Sequence, residues 1–149
     1  MCEIKIETAD LGFIDAFCRI EAQCFDEETF TEEQLVYLLT SPNIIALAAK
    51  EDLNIAGFII VRVDTADTQF GHVITIGVAQ KYRCKHVATR MLEEIEGLLK
   101  RCGIGECRLE VREDNYAAIG LYQKLGYQKI GTLKRYYGAK HGFYFKKLF

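Results

Sequence analysis

The chain has a single proline, Pro42, in 149 residues, and it has neither repeats nor low-complexity tracts, so nothing marks a linker between domains. No stretch approaches the roughly 20 apolar residues of a membrane span. The first residues, MCEIKIETAD, lack the basic-then-apolar layout of a secretory leader. A cytoplasmic protein that works away from membranes is therefore expected. The six cysteines (Cys2, Cys18, Cys24, Cys84, Cys102, Cys107) include no CxxC pair, and no histidine stands at zinc-like spacing. That favours a reduced chain without a metal site. Lys plus Arg number 19 against 21 Asp plus Glu, for a formal charge of -2, so no global basic field draws the chain onto nucleic acid. Any anion must be held locally.

Half of the positions are apolar, which suits one domain, residues 1–149, able to bury a core; monomer and homodimer both stay open. Residues 4–7 alternate like a short strand. From Phe13 onward, Ile14, Phe17, Cys18, Ile20, Glu21 and Cys24 fall mostly at helical spacing. Phe30, Leu35, Leu38 and Leu39 predict a second helix that stops near Ser41, ahead of the proline. Residues 44–49 and 55–63 are β-rich and are joined by KEDLN, whose Asp and Asn suit a hairpin turn. After the polar DTADTQ segment, residues 72–78 predict a third apolar strand.

Val87, Ala88, Met91, Leu92, Ile95, Leu98, Leu99 and Cys102 then trace one helical face, with Gly103 as the C-cap. Residues 107–111 predict a strand, 115–125 a helix closed by Gly126, and 127–133 and 142–149 two last strands. The order β-α-α-β-β-β-α-β-α-β-β, with a right-handed strand-helix-strand crossover, gives a mixed α/β sheet. Ligands of such sheets sit where helices leave the ends of neighbouring parallel strands.

Residues 76–88 read IGVAQKYRCKHVA: a strand, a basic turn and the start of the amphipathic helix. Free backbone N–H groups at such a start, beside Arg83 and Lys85, make a pyrophosphate site. An ordinary solvated basic loop gives the same pattern. Further on, residues 109–127 read LEVREDNYAAIGLYQKLGY. Together with the turn, this segment resembles the GNAT acetyltransferases, and within them the RimI-like protein N-terminal acetyltransferases, a group that includes the ribosomal-protein-alanine acetyltransferases. The resemblance runs from about residue 4 to residue 137.

The resemblance implies a mixed, mostly antiparallel seven-stranded sheet flanked by four helices, with a central parallel strand pair that splays. It implies acetyl-CoA as donor, CoA as product, and direct transfer of the acetyl group to an amine in a ternary complex. Donor contacts then fall to Ile76, Gly77, Val78, Arg83, Cys84, Lys85, His86, Val87, Ala88, Thr89, Asn115 and Tyr122. The family turn reads Arg-Gly-x-Gly-x-Gly/Ala, and Cys84 and His86 replace both of its inner glycines. These two residues must either adopt helical angles or crowd the ligand. His86 offers its ring to a phosphate or stands as a surface histidine beside the site.

Acyl transfer to an amine needs a held donor, a neutral amine, a stabilised oxyanion and a proton for the departing thiolate. By the resemblance, the pantetheine arm pairs with backbone in the gap between the splayed strands, and the Val78 N–H is the oxyanion donor. Asn115 matches the pantetheine-contacting asparagine and also suits the N-cap of the following helix. Tyr122 matches the tyrosine beside the coenzyme sulfur, though it also reads as a core aromatic. Glu110 stands where RimI-like enzymes place a general base. Strand alternation sends it to the face opposite Leu109 and Val111. His72 is the alternative base. An N-terminal amine, with a reference pKa of about 7.7–8.0 against about 10.4 for lysine, needs only a modest base at neutral pH, which favours a protein N-terminus as acceptor.

In the RimI-like enzymes, two regions flank the acceptor peptide. Here they are CFDEETF, with Phe25, Asp26 and Glu27, and the last hairpin, with Tyr136 and Tyr137. After Tyr137 the chain departs from the family, which often carries a Glu-Asp pair where this one has Lys140, His141 and Gly142. A small amine or lysine as acceptor, and a coenzyme-binding module without catalysis, remain open alternatives.

Overall fold

The computed structural model describes residues 3–25 and 29–149. The chain forms β1 (Ile4–Thr8), α1 (Ile14–Cys24), α2 (Glu32–Thr40), β2 (Ile44–Glu51), β3 (Asn54–Thr65) and β4 (Gln69–Val78). It continues through α3 (Val87–Arg101), β5 (Glu106–Arg112), α4 (Tyr116–Lys124), β6 (Gln128–Tyr137) and β7 (Lys140–Leu148). The strands and helices follow the expected order, and short 3-10 turns at Leu11–Phe13 and Gln80–Tyr82 are added to it. The sheet order is β1-β2-β3-β4-β5-β7-β6, antiparallel throughout except between β4 and β5. This is the mixed α/β architecture expected from the sequence.

Alternation along the strands distributes the helices. Leu47, Ala49, Ile59 and Val61 pack with Met91, Leu92, Ile95 and Leu99 of α3 and Tyr122 of α4, while Ala46, Ala48, Phe58 and Ile60 pack with Phe17, Ile20, Leu35 and Leu38 of α1 and α2. A period of two in the strands thus meets a period of 3.6 in the helices on both faces. Local signals set the helix ends. Thr31 and Gln34 form a reciprocal capping box at the start of α2, and Ser41 ends it ahead of Pro42.

One irregularity shapes the centre of the sheet. β4 and β5 pair over only three residues, Gly71 with Cys107, His72 with Arg108 and Val73 with Leu109. On its other side β4 slips: Ile60 faces Thr75 and Val61 faces Val73, which leaves Ile74 as an extra residue. A bulge bends and twists its strand, and this one falls just where pairing with β5 stops. Residues 74–78 therefore part from β5 while staying bonded to β3.

The last hairpin is longer than its pattern predicts. β6 runs to Tyr137 and β7 starts at Lys140, so Gly138, at φ 66°, and Ala139 make the turn. Lys134, Arg135, Tyr136 and Tyr137 show no alternation; the pairing of Tyr137 with Lys140 and an Arg135 N–H bond to His141 Nδ1 at 2.9 Å hold the segment to β7. Register shifts between Leu133 and Tyr137 and a φ of 54° at Arg135 re-aim the tyrosines.

Candidate active site

The Ala79 N–H donates to the Ala56 carbonyl of β3 at 2.8 Å. Backbone groups of an antiparallel strand alternate in direction, so the N–H groups of Ile76 and Val78 face away from β3, into the gap toward β5. Gly77 stands where room is short: a Cβ there would lie 3.0 Å from Ile20 and 3.3 Å from Phe58, so those side chains would have to shift.

From the gap the chain turns into α3. Its N-cap, His86, makes no side-chain cap, and the first turn carries no acid. The first intrahelical bond runs from Arg90 to the His86 carbonyl at 3.1 Å. The amides of Val87, Ala88 and Thr89 therefore keep free N–H groups at the positive end of the helix dipole, a fit for a diphosphate. Cys84 and His86 have φ of 61° and 63°. Neither outcome expected at these positions is what the structure shows: both residues keep the left-handed angles of the glycines they replace. Each such residue carries about 1–2 kcal/mol of strain.

Lys81 and Lys85 lean over the Tyr82 ring, at 5.5 and 5.8 Å from its centroid. Arg83 points elsewhere: it donates to the carbonyls of Val78 at 3.3 Å and Gln23 at 3.0 Å, and approaches Cys24 Sγ at 3.6 Å. Its guanidinium thus covers the C-terminal end of α1, and the turn's outward positive charge falls to the two lysines. Free strand amides at the gap and free helix amides beyond it fit the arm and the diphosphate of a coenzyme A thioester.

Asn115 caps α4 by accepting the Ala118 N–H at 3.3 Å. Tyr122 of α4 is buried, its ring centroid 6.0 Å from that of Tyr127 and 6.4 Å from that of Phe145. Burial, with the Cys107 thiol adding to it, pushes this phenol far above its ordinary range, so at neutral pH it holds its proton. The core role and the role of proton donor are compatible.

Where β4 and β5 part, Glu110 and His72 meet on the face opposite α3. His72 Nε2 lies 2.7 and 2.9 Å from the two Glu110 oxygens. His72 Nδ1 lies 3.3 Å from Asp64, which Arg62 holds through Nε at 2.6 Å and a second guanidinium nitrogen at 3.0 Å. Burial pulls the imidazole pKa down, but the Glu110 hydrogen bond and charge, with Asp64 behind them, outweigh burial and hold it above its usual value. The Arg62 hydrogen bond keeps the Asp64 carboxyl low against the opposing effect of burial. The two residues read as alternative bases from the sequence are thus hydrogen-bonded partners.

Tyr144 pairs with Glu110 across β5 and β7. The Tyr136 phenol is raised by burial and then by Glu110, to which it hydrogen-bonds. Tyr137 meets the Tyr136 ring edge-on at 4.9 Å. Phe25 closes α1, its N–H donating to the Glu21 carbonyl at 2.9 Å; Asp26 and Glu27 lie outside the described residues. Glu21, on the inward face of α1, is wholly buried and accepts from the Thr75 hydroxyl and from the Phe30 N–H at 3.1 Å. Burial raises its carboxyl.

Sequence reasoning missed Arg62, Asp64 and Thr75 as neighbours of the site. A hairpin register would have found the first two, because Arg62 pairs directly with His72 and Asp64 follows two residues later on the same face.

Residues 14–127 match the Acetyltransferase (GNAT) family. The chain is 26% identical over 143 residues to the N-terminal acetyltransferase complex ARD1 subunit homolog of Dictyostelium discoideum, covering 95% of this chain and 70% of that one. It is 28% identical over 145 residues to the N-alpha-acetyltransferase of Sulfurisphaera tokodaii, covering 91% and 86%. The crystal structure of the ribosomal-protein-S18-alanine N-acetyltransferase from Escherichia coli superposes with a TM-score of 0.87 at 21% identity, over 98% of this chain and 94% of that one. That match carries the fold alone. A family match across most of the chain, joined to a splayed strand pair that opens beside uncapped helix amides, makes this protein a GNAT acetyltransferase, dependent on acetyl-CoA.

Proposed function

We propose that residues 1–149 form a single N-acetyltransferase domain that acetylates the N-terminal α-amino group of a protein, in the cytoplasm. The hydrogen-bonded pair of Glu110 and His72 at the point where β4 leaves β5 carries this reading. An N-terminal ammonium, with a reference pKa of about 7.7–8.0, gives up its proton to such a pair near neutral pH, whereas a lysine at about 10.4 does so far less readily. The relatives named as N-alpha-acetyltransferases support the same acceptor.

Acetyl-CoA bound in the gap supplies a thioester carbonyl as electrophile and a thiol as leaving group. Ile76 and Val78 offer backbone amides along the gap, the Val78 N–H serving the carbonyl oxygen as negative charge builds there. The amides of Val87, Ala88 and Thr89 hold the diphosphate, and Asn115 stands at the start of α4 beside the arm. Glu110 takes the ammonium proton, which leaves the nitrogen lone pair free to attack. The Tyr122 hydroxyl gives its proton to the departing sulfur and regains one from the nitrogen, which sheds its second proton as the tetrahedral adduct collapses to the amide. Phe25, Tyr136 and Tyr137 flank the acceptor chain, and Asp26 and Glu27 follow Phe25 in the sequence.

Thiol release measured with peptides bearing a free N-terminus, against the same peptides blocked at the N-terminus and carrying one lysine, tests the acceptor. The reading expects release and a single acetyl mass shift on the first set. Release on the lysine set alone makes the protein a lysine acetyltransferase. Acetyl-CoA binding by calorimetry without release on either set makes it a binding module.

A further inference from the structure

The last hairpin holds a charge imbalance that the acetyl-transfer scheme leaves unused. Residues 128–149 carry five Lys, one Arg and no acid, whereas residues 1–127 hold all 21 Asp and Glu. A chain of net charge -2 thus presents one strongly basic arm. Partners account for part of it. Lys147 lies 2.7 Å from Glu96 and Lys146 lies 3.6 Å from Glu106. Lys129 sits over the Phe143 ring at 3.8 Å, on the face of the sheet that packs with α3. Lys140, by contrast, keeps 52% of its side-chain surface exposed, with Asp114 no nearer than 4.0 Å. Lys134 and Arg135 are exposed and meet no carboxylate among the described residues.

These three cations adjoin the acceptor site. Arg135 precedes Tyr136, whose phenol hydrogen-bonds Glu110, and the Arg135 N–H donates to His141 Nδ1 at 2.9 Å, which anchors the tip. Lys140 pairs with Tyr137 across the turn. Both tyrosines cover Gly142, where a Cβ would lie 3.2 Å from Tyr136 and 3.0 Å from Tyr137. Gly142 stands opposite Arg112, two residues beyond Glu110 and therefore on the Glu110 face of β5.

We propose that Lys134, Arg135 and Lys140 form a subsite for carboxylates of the acceptor chain, so that the enzyme selects protein N-termini with Asp or Glu at about their third to fifth residues. The inference rests on the N-terminal acceptor reading above and adds to it a class of acceptor. An extended chain advances about 3.3–3.6 Å per residue, so these residues lie roughly 7–14 Å from the amine and pass the Tyr136 ring toward the tip. An acidic chain finds no such partner in residues 25–33, the other region assigned to the acceptor, which hold five acids and no base. Each exposed pair contributes little alone, and salt screens it, so the three cations act as a set that is strongest at low ionic strength.

The experiment uses peptides of one sequence with a free N-terminus and with residues three to five as Glu, Gln or Lys. Steady-state kcat and KM are recorded for wild type, for Lys134→Gln with Arg135→Gln, and for the reversal Lys134→Glu with Arg135→Glu. Lys129→Gln, which removes one charge of the same hairpin from the opposite face, is the control. At low salt the wild type is expected to show a KM about tenfold lower for the Glu peptide than for the Gln peptide. Its kcat is alike for both, and the gap narrows as salt rises. The Gln double variant brings the two peptides within about twofold, the reversal favours the Lys peptide, and Lys129→Gln behaves as wild type. A general loss of packing produces no such inversion.

Equal KM values for the three peptides in wild type, or a double variant that raises all of them alike, overturns the inference. So does binding of a single-stranded RNA oligomer that the double variant abolishes while the peptides stay equal, because the hairpin then serves nucleic acid. If the reversal fails to fold, the Gln double variant and the salt dependence decide. Fluorescence anisotropy of the same peptides, labelled at the C-terminus and titrated with protein in the presence of CoA, reads the preference without turnover. A wild-type protein that acetylates none of the peptides sinks the N-terminal acceptor reading instead. Anisotropy then still upholds the subsite if the Glu peptide binds more tightly, and overturns it if the three bind alike.

Discussion

Around the start of α3, the groups offered to a ligand are backbone amides of Ile76, Val78, Val87, Ala88 and Thr89, whereas around Glu110 they are side chains of Arg62, Asp64, His72 and Tyr136. The difference governs what substitution does in each place. A site made of backbone survives changes of side chain as long as the dihedral angles hold, and Cys84 and His86 keep the left-handed angles at a cost in strain. A site made of side chains from several strands has no such tolerance, because each group sets the charge and orientation of the next.

The sharpest way to break this contrast is Glu110→Gln. The expected loss in kcat is about a hundredfold or more, with acetyl-CoA affinity by calorimetry unchanged; a fall in affinity instead would join the two regions into one site. Next comes Tyr122→Phe, which should lower kcat by roughly tenfold or more if the phenol protonates the leaving sulfur. Wild-type turnover in steady-state assays would leave Tyr122 as a core ring only.

A smaller effect, of opposite sign, belongs to the turn. Cys84→Gly and His86→Gly relieve left-handed strain of about 1–2 kcal/mol each, part of which the added freedom of glycine in the unfolded chain takes back, so scanning calorimetry should show the melting temperature rising by roughly 2–4 °C per residue, with acetyl-CoA bound at least as tightly. An unchanged melt would mean that the turn carries no strain to relieve. The smallest effect is expected for Arg83→Gln. It removes hydrogen bonds to the end of α1 and costs about 0.5–1.5 kcal/mol of stability, while the KM for acetyl-CoA stays where it was. A large rise in that KM would return Arg83 to the phosphates.

The same contrast explains what the sequence made legible. The order of elements, the amphipathic face of α3, the Asn115 cap and the outward turn of Glu110 all follow from spacing along the chain, and each is where that spacing puts it. Glu21 too fell on the inward face of its helix. Partners drawn from distant segments had no such signal. Asp64 sat in a polar run that reads as a turn, yet β3 extends to Thr65 because β4 pairs with it. Glu96 lies buried inside α3, where the Tyr127 hydroxyl donates to it at 3.1 Å and Lys147 reaches it at 2.7 Å. Burial of a charge is decided by partners far along the chain, and helical periodicity carries no trace of them.

Glu21 has one oxygen on Thr75, next to the extra residue of β4, and the other on Phe30, beyond the segment that leaves α1. A single carboxyl thus ties the kink of β4 to the residue ahead of the α2 cap, and a ligand that moved one of these contacts would bear on the other. Coupling of this kind is reciprocal. Whatever factor a seated donor adds to the capture of an acceptor, the acceptor returns to retention of the donor, and the order in which the two arrive leaves the total unchanged.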